Sequence, residues 1–197
     1  MLTVYLIRHT EVAVEKGLCY GGSDVALAAN YPQQLDRIRT HLPPARPNAV
    51  FSSPLSRCRR LAEDLTPNTP PLPVAYDERL REYHFGTWEM TPWSDIPRED
   101  LDGWMADFVH QAPHQGDSFL AVYDRVSAFW TERVLPLADA DVPGTVYVVA
   151  HGGVIRALLC LFLGVPLPNA YRLHLDYGAV SRVVVQNQTY TLTYINR

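Results

Sequence analysis

Two short apolar runs, far apart in the chain, end in the same way. Leu2-Thr3-Val4-Tyr5-Leu6-Ile7 runs straight into Arg8-His9-Thr10-Glu11, and Thr145-Val146-Tyr147-Val148-Val149-Ala150 runs into His151-Gly152-Gly153. Their β-branched and aromatic content marks both as buried strands. In open α/β sheets, ligands bind outside the carboxyl ends of strands. Two strand ends that each deliver a histidine therefore set the frame for everything else.

The rest of the chain alternates in kind. A helix is expected over residues 28–42, ended by Pro43-Pro44 and Pro47, then a strand over 48–52. Ser53 is the expected N-cap and Pro54 the first turn of a helix reaching about residue 65, which carries Arg57, Arg59 and Arg60. A proline-rich loop over 66–73 leads to a short strand at 74–76. Residues 80–119, with Tyr83, Phe85, Trp88, Trp93, Trp104 and Phe108 among prolines, read as an aromatic excursion over the sheet's carboxyl edge, with one helix at 95–109. A long helix is expected over 119–138 and another over 153–163, stopped by Gly164 and Pro166. Strands are expected at 172–175, 181–185 and 189–195, the last two as a hairpin. Strands alternating with helices give an α/β class with a mostly parallel sheet. No repeat or linker divides residues 1–197, which read as a single domain.

Composition narrows the function classes. A formal charge of -4 gives no electrostatic case for nucleic acid. Lys16 is the one lysine, so the positive charge is almost all arginine; planar anion recognition and a GC-rich gene both account for that. Cys19, Cys58 and Cys160 form neither a zinc pattern nor a disulfide framework, which points to a reducing, cytoplasmic setting. No signal region precedes Arg8, and the apolar stretch at 154–165 is too short to span a bilayer. The expected partner is a small phosphorylated metabolite, with neither nucleic acid nor membrane, and a homodimer is an option.

The chemistry lies in four cationic or imidazole groups. Arg8 and His9 leave one strand, Arg57 sits in the first turn of a helix after another, and His151 opens a helix after a third. Helix N-termini attract anions, and arginines grip phosphate bidentately. A neutral imidazole in such a pocket can form a covalent phosphoenzyme. Glu82 is the candidate general acid, if partial burial favours its protonated form. No metal or cofactor is needed, and His110 and His114, separated by Pro113, do not make a helical zinc pair. Each residue alone has an ordinary structural explanation; only their combination at strand ends points to catalysis. These residues by themselves do not choose between His9 and His151 as the nucleophile.

The same residues resemble the histidine phosphatase superfamily, also called phosphoglycerate mutase-like. Leu6-Ile7-Arg8-His9-Thr10-Glu11 resembles its opening motif, and Ser53-Pro54-Leu55-Ser56-Arg57-Cys58 its Ser-x-Leu-x-Arg-Ala motif. Leu80-Arg81-Glu82 with Phe85-Gly86-Thr87-Trp88-Glu89 resembles the central block, Gly116-Asp117-Ser118 with Arg125 a later one, and Val149-Ala150-His151-Gly152-Gly153 the second histidine motif. The resemblance implies a three-layer α/β/α fold. It implies His9 as the phosphorylated nucleophile, Arg8, Arg57 and His151 as the phosphate pocket, and Glu82 as the proton donor. Thr10 replaces the usual glycine, and its hydroxyl is placed to reach phosphate. Glu15 stands where many members have Asn, so that loop is expected to take another path. Cys19-Tyr20-Gly21 with Asp24 resembles an α-ribazole phosphatase subgroup, which implies Tyr20, Gly21 and Gly152 near the substrate. The implied activity is a metal-independent phosphomonoesterase in cobalamin synthesis. The alternatives are a broad phosphatase, a cofactor-dependent phosphoglycerate mutase, or a non-catalytic phospho-ligand binding protein.

Overall fold

The computed structural model describes residues 1–66, 72–139 and 142–197. Strand β1 (Leu2–Arg8) is central in a six-stranded sheet. The other strands are β2 (Ala49–Ser52), β3 (Val74–Tyr76), β4 (Gly144–Ala150), β5 (Val180–Gln186) and β6 (Thr189–Tyr194), in the order β3-β2-β4-β1-β5-β6. The first four strands in that order are parallel; β5 and β6 join as an antiparallel hairpin. The sheet is thus mixed and mostly parallel.

Period-two alternation sends β1 side chains to two cores. Leu2, Val4 and Leu6 pack with Val146, Val148, helix α4 (Phe119–Phe129) and helix α5 (Gly152–Leu163). Tyr5 and Ile7 pack with Tyr147, Val149, helix α1 (Tyr31–Thr40) and helix α2 (Ser56–Leu65). Burial on both faces explains why β1 and β4 are continuously apolar. It also gives the three layers. A third cluster, Cys19, Trp88 and Ile96 with Trp93 and Trp104 against it, closes the excursion over the carboxyl edge. Helix α3 (Arg98–Ala106) lies in that excursion and rests on its partly buried Leu101 and Trp104. Among the described residues, no helix is long and apolar enough to cross a membrane.

Several boundaries differ from expectation for identifiable reasons. Helix α1 begins at Tyr31, so Pro32 occupies its first turn. Helix α2 begins at Ser56 with Leu55 as N-cap, and Ser53 instead turns its hydroxyl to the Leu55 N–H and to His151. The long helix after Ser118 is regular only to Phe129. It widens into a π turn at Trp130–Val134 and tightens into a 3₁₀ turn at Leu135–Asp139. Pro136 lies in that last turn, where its ring and missing N–H break the regular ladder. Residues 172–175 are not a strand. Leu175 is buried, but the carbonyls of Leu173 and Leu175 accept from Arg156 and Arg8 instead of a neighbouring strand. The expected loop at 66–73 falls mostly outside the described residues.

Candidate active site

The β1–β4 register builds the centre of the site. Arg8 pairs with Ala150, so the two strands end level and His9 and His151 emerge side by side. The His9 N–H donates to the Ala150 carbonyl, and the two rings meet edge to face, 5.1 Å between centres. Both imidazoles are buried. Burial first, then the Arg57 and Arg8 guanidiniums, push His9 well below the usual histidine range against the opposing Thr10 carbonyl. Burial, Arg57 and His9 do the same to His151. Both rings are therefore neutral near pH 7.

The His9 tautomer follows from its partner. Nδ1 lies 2.7 Å from the Thr10 carbonyl oxygen, which can only accept. The proton sits on Nδ1, and Nε2 keeps its lone pair. The second ring is held differently: His151 Nε2 lies 2.8 Å from Ser53 Oγ.

Two arginines flank this pair, neither with a carboxylate partner among the described residues. Arg57 is fully buried, and its Nη atoms donate to the carbonyls of Ser23 and Gly21 at 2.8 and 2.6 Å. Arg8 donates to the Leu175 carbonyl at 2.6 Å and stacks 4.0 Å from the Tyr177 ring centre. Neither Nε has a hydrogen-bond partner among the described residues. Carbonyls orient a guanidinium but do not neutralise it, so a buried charge of this kind calls for an anion.

Glu82 stands at the N-terminus of α5. Its two oxygens accept from the N–H groups of Tyr83 and Gly153, each at 3.0 Å. A Cβ on Gly153 would sit 2.6 Å from Glu82 Oε1, so the close approach requires glycine there. Arg125 donates to the carbonyls of Arg79 and Glu82 and so fixes that turn from behind.

These groups open on a cleft of about 720 Å³. Of the residues expected from sequence, Arg8, His9, Arg57, Glu82, Tyr20 and Gly152 line it. His151, Thr10 and Gly21 lie behind the wall. The Thr10 hydroxyl is buried without a hydrogen-bond partner among the described residues, and Gly21 holds Arg57 through its carbonyl. Glu15 is exposed on the cleft wall beside Lys16. Tyr83, Phe85 and Trp93 bring the excursion to the cleft. Sequence reasoning missed Arg156, Tyr171 and Tyr177, which also line it. Arg156 was findable, because it stands one helical turn after Gly152 and so shares its face. Tyr171 and Tyr177 carried no signal, since a short 3₁₀ turn (Leu167–Arg172) presents the first and a loop the second.

The profile described as "Histidine phosphatase superfamily (branch 1)" matches residues 4–197. The adenosylcobalamin/alpha-ribazole phosphatase of Escherichia coli K12 is 29% identical over 99% of this chain and 96% of its own. The alpha-ribazole phosphatase of Shigella flexneri superposes with a TM-score of 0.87 at 28% identity, covering 99% of this chain and 96% of that one. A mycobacterial glucosyl-3-phosphoglycerate phosphatase superposes with a TM-score of 0.85 at 27% identity over 98% of each chain. With paired histidines at level strand ends and two carboxylate-free arginines around them, the chain belongs to the histidine phosphatase superfamily, branch 1.

Proposed function

We propose that this phosphatase-family chain hydrolyses the phosphomonoester of a small metabolite through a phosphohistidine on His9. The observation that carries the reading is a buried, neutral His9 with its Nε2 lone pair free between two guanidiniums that have no carboxylate. In the first step, Nε2 attacks phosphorus and the bond to the alcohol oxygen breaks. Glu82 gives its proton to that oxygen. Arg8 and Arg57 hold the equatorial oxygens, where charge gathers. The Thr10 carbonyl takes the Nδ1–H bond that steadies the phosphorylated ring. In the second step, water attacks phosphorus, its proton passes to Glu82, and the P–N bond returns its electrons to Nε2. The scheme uses no metal.

The leading substrate is α-ribazole 5′-phosphate. Support comes from Cys19-Tyr20-Gly21 with Asp24, from the relatives' names, and from a cleft roomy enough for a nucleoside, with Phe85, Trp93 and Tyr171 in its wall. The test is phosphate release in EDTA from α-ribazole 5′-phosphate, 3-phosphoglycerate and an aryl phosphate, with His9→Ala as control. Strong preference for the first supports the whole reading. Comparable release from all three keeps the chemistry and makes the enzyme a broad phosphatase. Release that survives His9→Ala contradicts the mechanism.

A further inference from the structure

The Tyr20 and Tyr177 hydroxyls lie 2.5 Å apart, joining the loop after β1 to the loop before β5. Each ring faces one phosphate-side arginine. Arg8 stacks 4.0 Å from the centre of Tyr177, and Arg57 lies 5.8 Å from that of Tyr20. The same two loops hold those arginines by carbonyls, Gly21 and Ser23 on Arg57 and Leu175 on Arg8. The tyrosine bond therefore fastens one arginine's cage to the other. The Tyr177 ring also stands 5.5 Å from that of His9.

Proton counting adds a second role. Two phenols carry two protons, and the bond between them uses one. Neither hydroxyl has another partner among the described residues, and both side chains line the cleft. Burial and the shared bond push the Tyr20 phenol up, so it stays protonated at neutral pH. One O–H is left over, beside two guanidiniums that need an anion.

We propose that Tyr177 is a phosphate-binding residue. The Tyr20–Tyr177 pair donates its spare O–H to a phosphate oxygen held by Arg8 and Arg57, while the Tyr177 ring fixes the Arg8 guanidinium. This rests on the proposed function only in placing a phosphate in the pocket; it does not require His9 to be phosphorylated.

The probe is inorganic phosphate, measured by calorimetry on the full chain, with thermal melts of every variant. Tyr177→Phe or Tyr20→Phe leaves one phenol and one donatable proton, so phosphate binding should weaken by about twofold to fivefold. The double Phe variant should lose about fiftyfold or more, beyond the product of the singles. A double variant that binds phosphate as tightly as wild type overturns the proposal, whatever its melting temperature. If the double variant does not fold, the singles decide: wild-type affinity in both overturns it. Wild type that fails to bind phosphate also overturns it. Wild type that binds phosphate yet hydrolyses no ester instead refutes the proposed function and leaves this inference standing on the variants.

Discussion

His9 combines two properties that normally oppose each other: it is buried beside two cations and yet has a nitrogen free for chemistry. Its stability signature follows from the buried, neutral state. An unfolded histidine takes up a proton below about pH 6.5, while His9 and His151 resist it in the fold. The unfolded state then binds more protons, so stability is full above that pH and falls as pH drops below it. Each histidine contributes a slope of up to about 1.4 kcal/mol per pH unit. Denaturation midpoints between about pH 7.5 and 5 measure this, and His9→Gln should flatten the slope; parallel slopes would contradict the neutral assignment. Ser53→Ala removes the partner 2.8 Å from His151 Nε2 and should lower kcat by about tenfold with KM little changed. Unchanged kcat would deny Ser53 a positioning role. At this scale the main residues were legible, because motif spacing placed Arg8, His9, Arg57, Glu82 and His151. Ser53 was misassigned as a helix cap, since capping and ring-holding use the same hydroxyl. Thr10 and Gly21 were singled out as substrate contacts; in the fold the Thr10 hydroxyl is buried beside His9 and Gly21 holds Arg57 through its carbonyl. Tyr177 was invisible because no local pattern marks a loop side chain that meets a distant one.

At the scale of elements, Glu89 joins the excursion to the loop after β1. Its carboxylate accepts from the N–H groups of Gly21, Gly22, Ser23 and Phe85 and from the Ser23 hydroxyl. Burial alone would push Glu89 up, but the Ser23 hydroxyl and these N–H groups outweigh it and hold the carboxyl below the usual range. Its contribution is therefore present above the ordinary glutamate range and lost as pH falls below that range towards the lowered folded-state value. The clamped loop supplies both carbonyls that hold Arg57. Glu89→Gln puts an NH₂ among donors and should cost about 1–3 kcal/mol, lowering the melting temperature. KM should rise with it as the Arg57 cage loosens. A variant with lowered melting temperature and unchanged KM would separate the clamp from substrate binding. Strands β1 and β4 were legible as apolar runs, and the runs at 181–185 and 189–195 as the hairpin of β5 and β6. The 172–175 segment was not, because its carbonyls turn to arginines, and alternation cannot report where a carbonyl points.

For the whole molecule, the sheet order decides function. Only the adjacency of β1 and β4, with Arg8 level with Ala150, turns two separate histidines into a pair. Periodicity marks strands but not their neighbours, so the mostly parallel class was readable from residue pattern while the order β3-β2-β4-β1-β5-β6 was not. The scheme uses no metal, so turnover should survive excess EDTA; loss restored by a divalent cation would contradict it. The most direct test is to mix enzyme with an aryl phosphate, quench in base, where phosphoramidates survive, and map the phosphorylated peptide by mass spectrometry. The account predicts a phosphoryl group on His9 that forms during turnover and is absent from His9→Ala. Phosphorylation at His151 instead, or full turnover with no phosphohistidine, would contradict it.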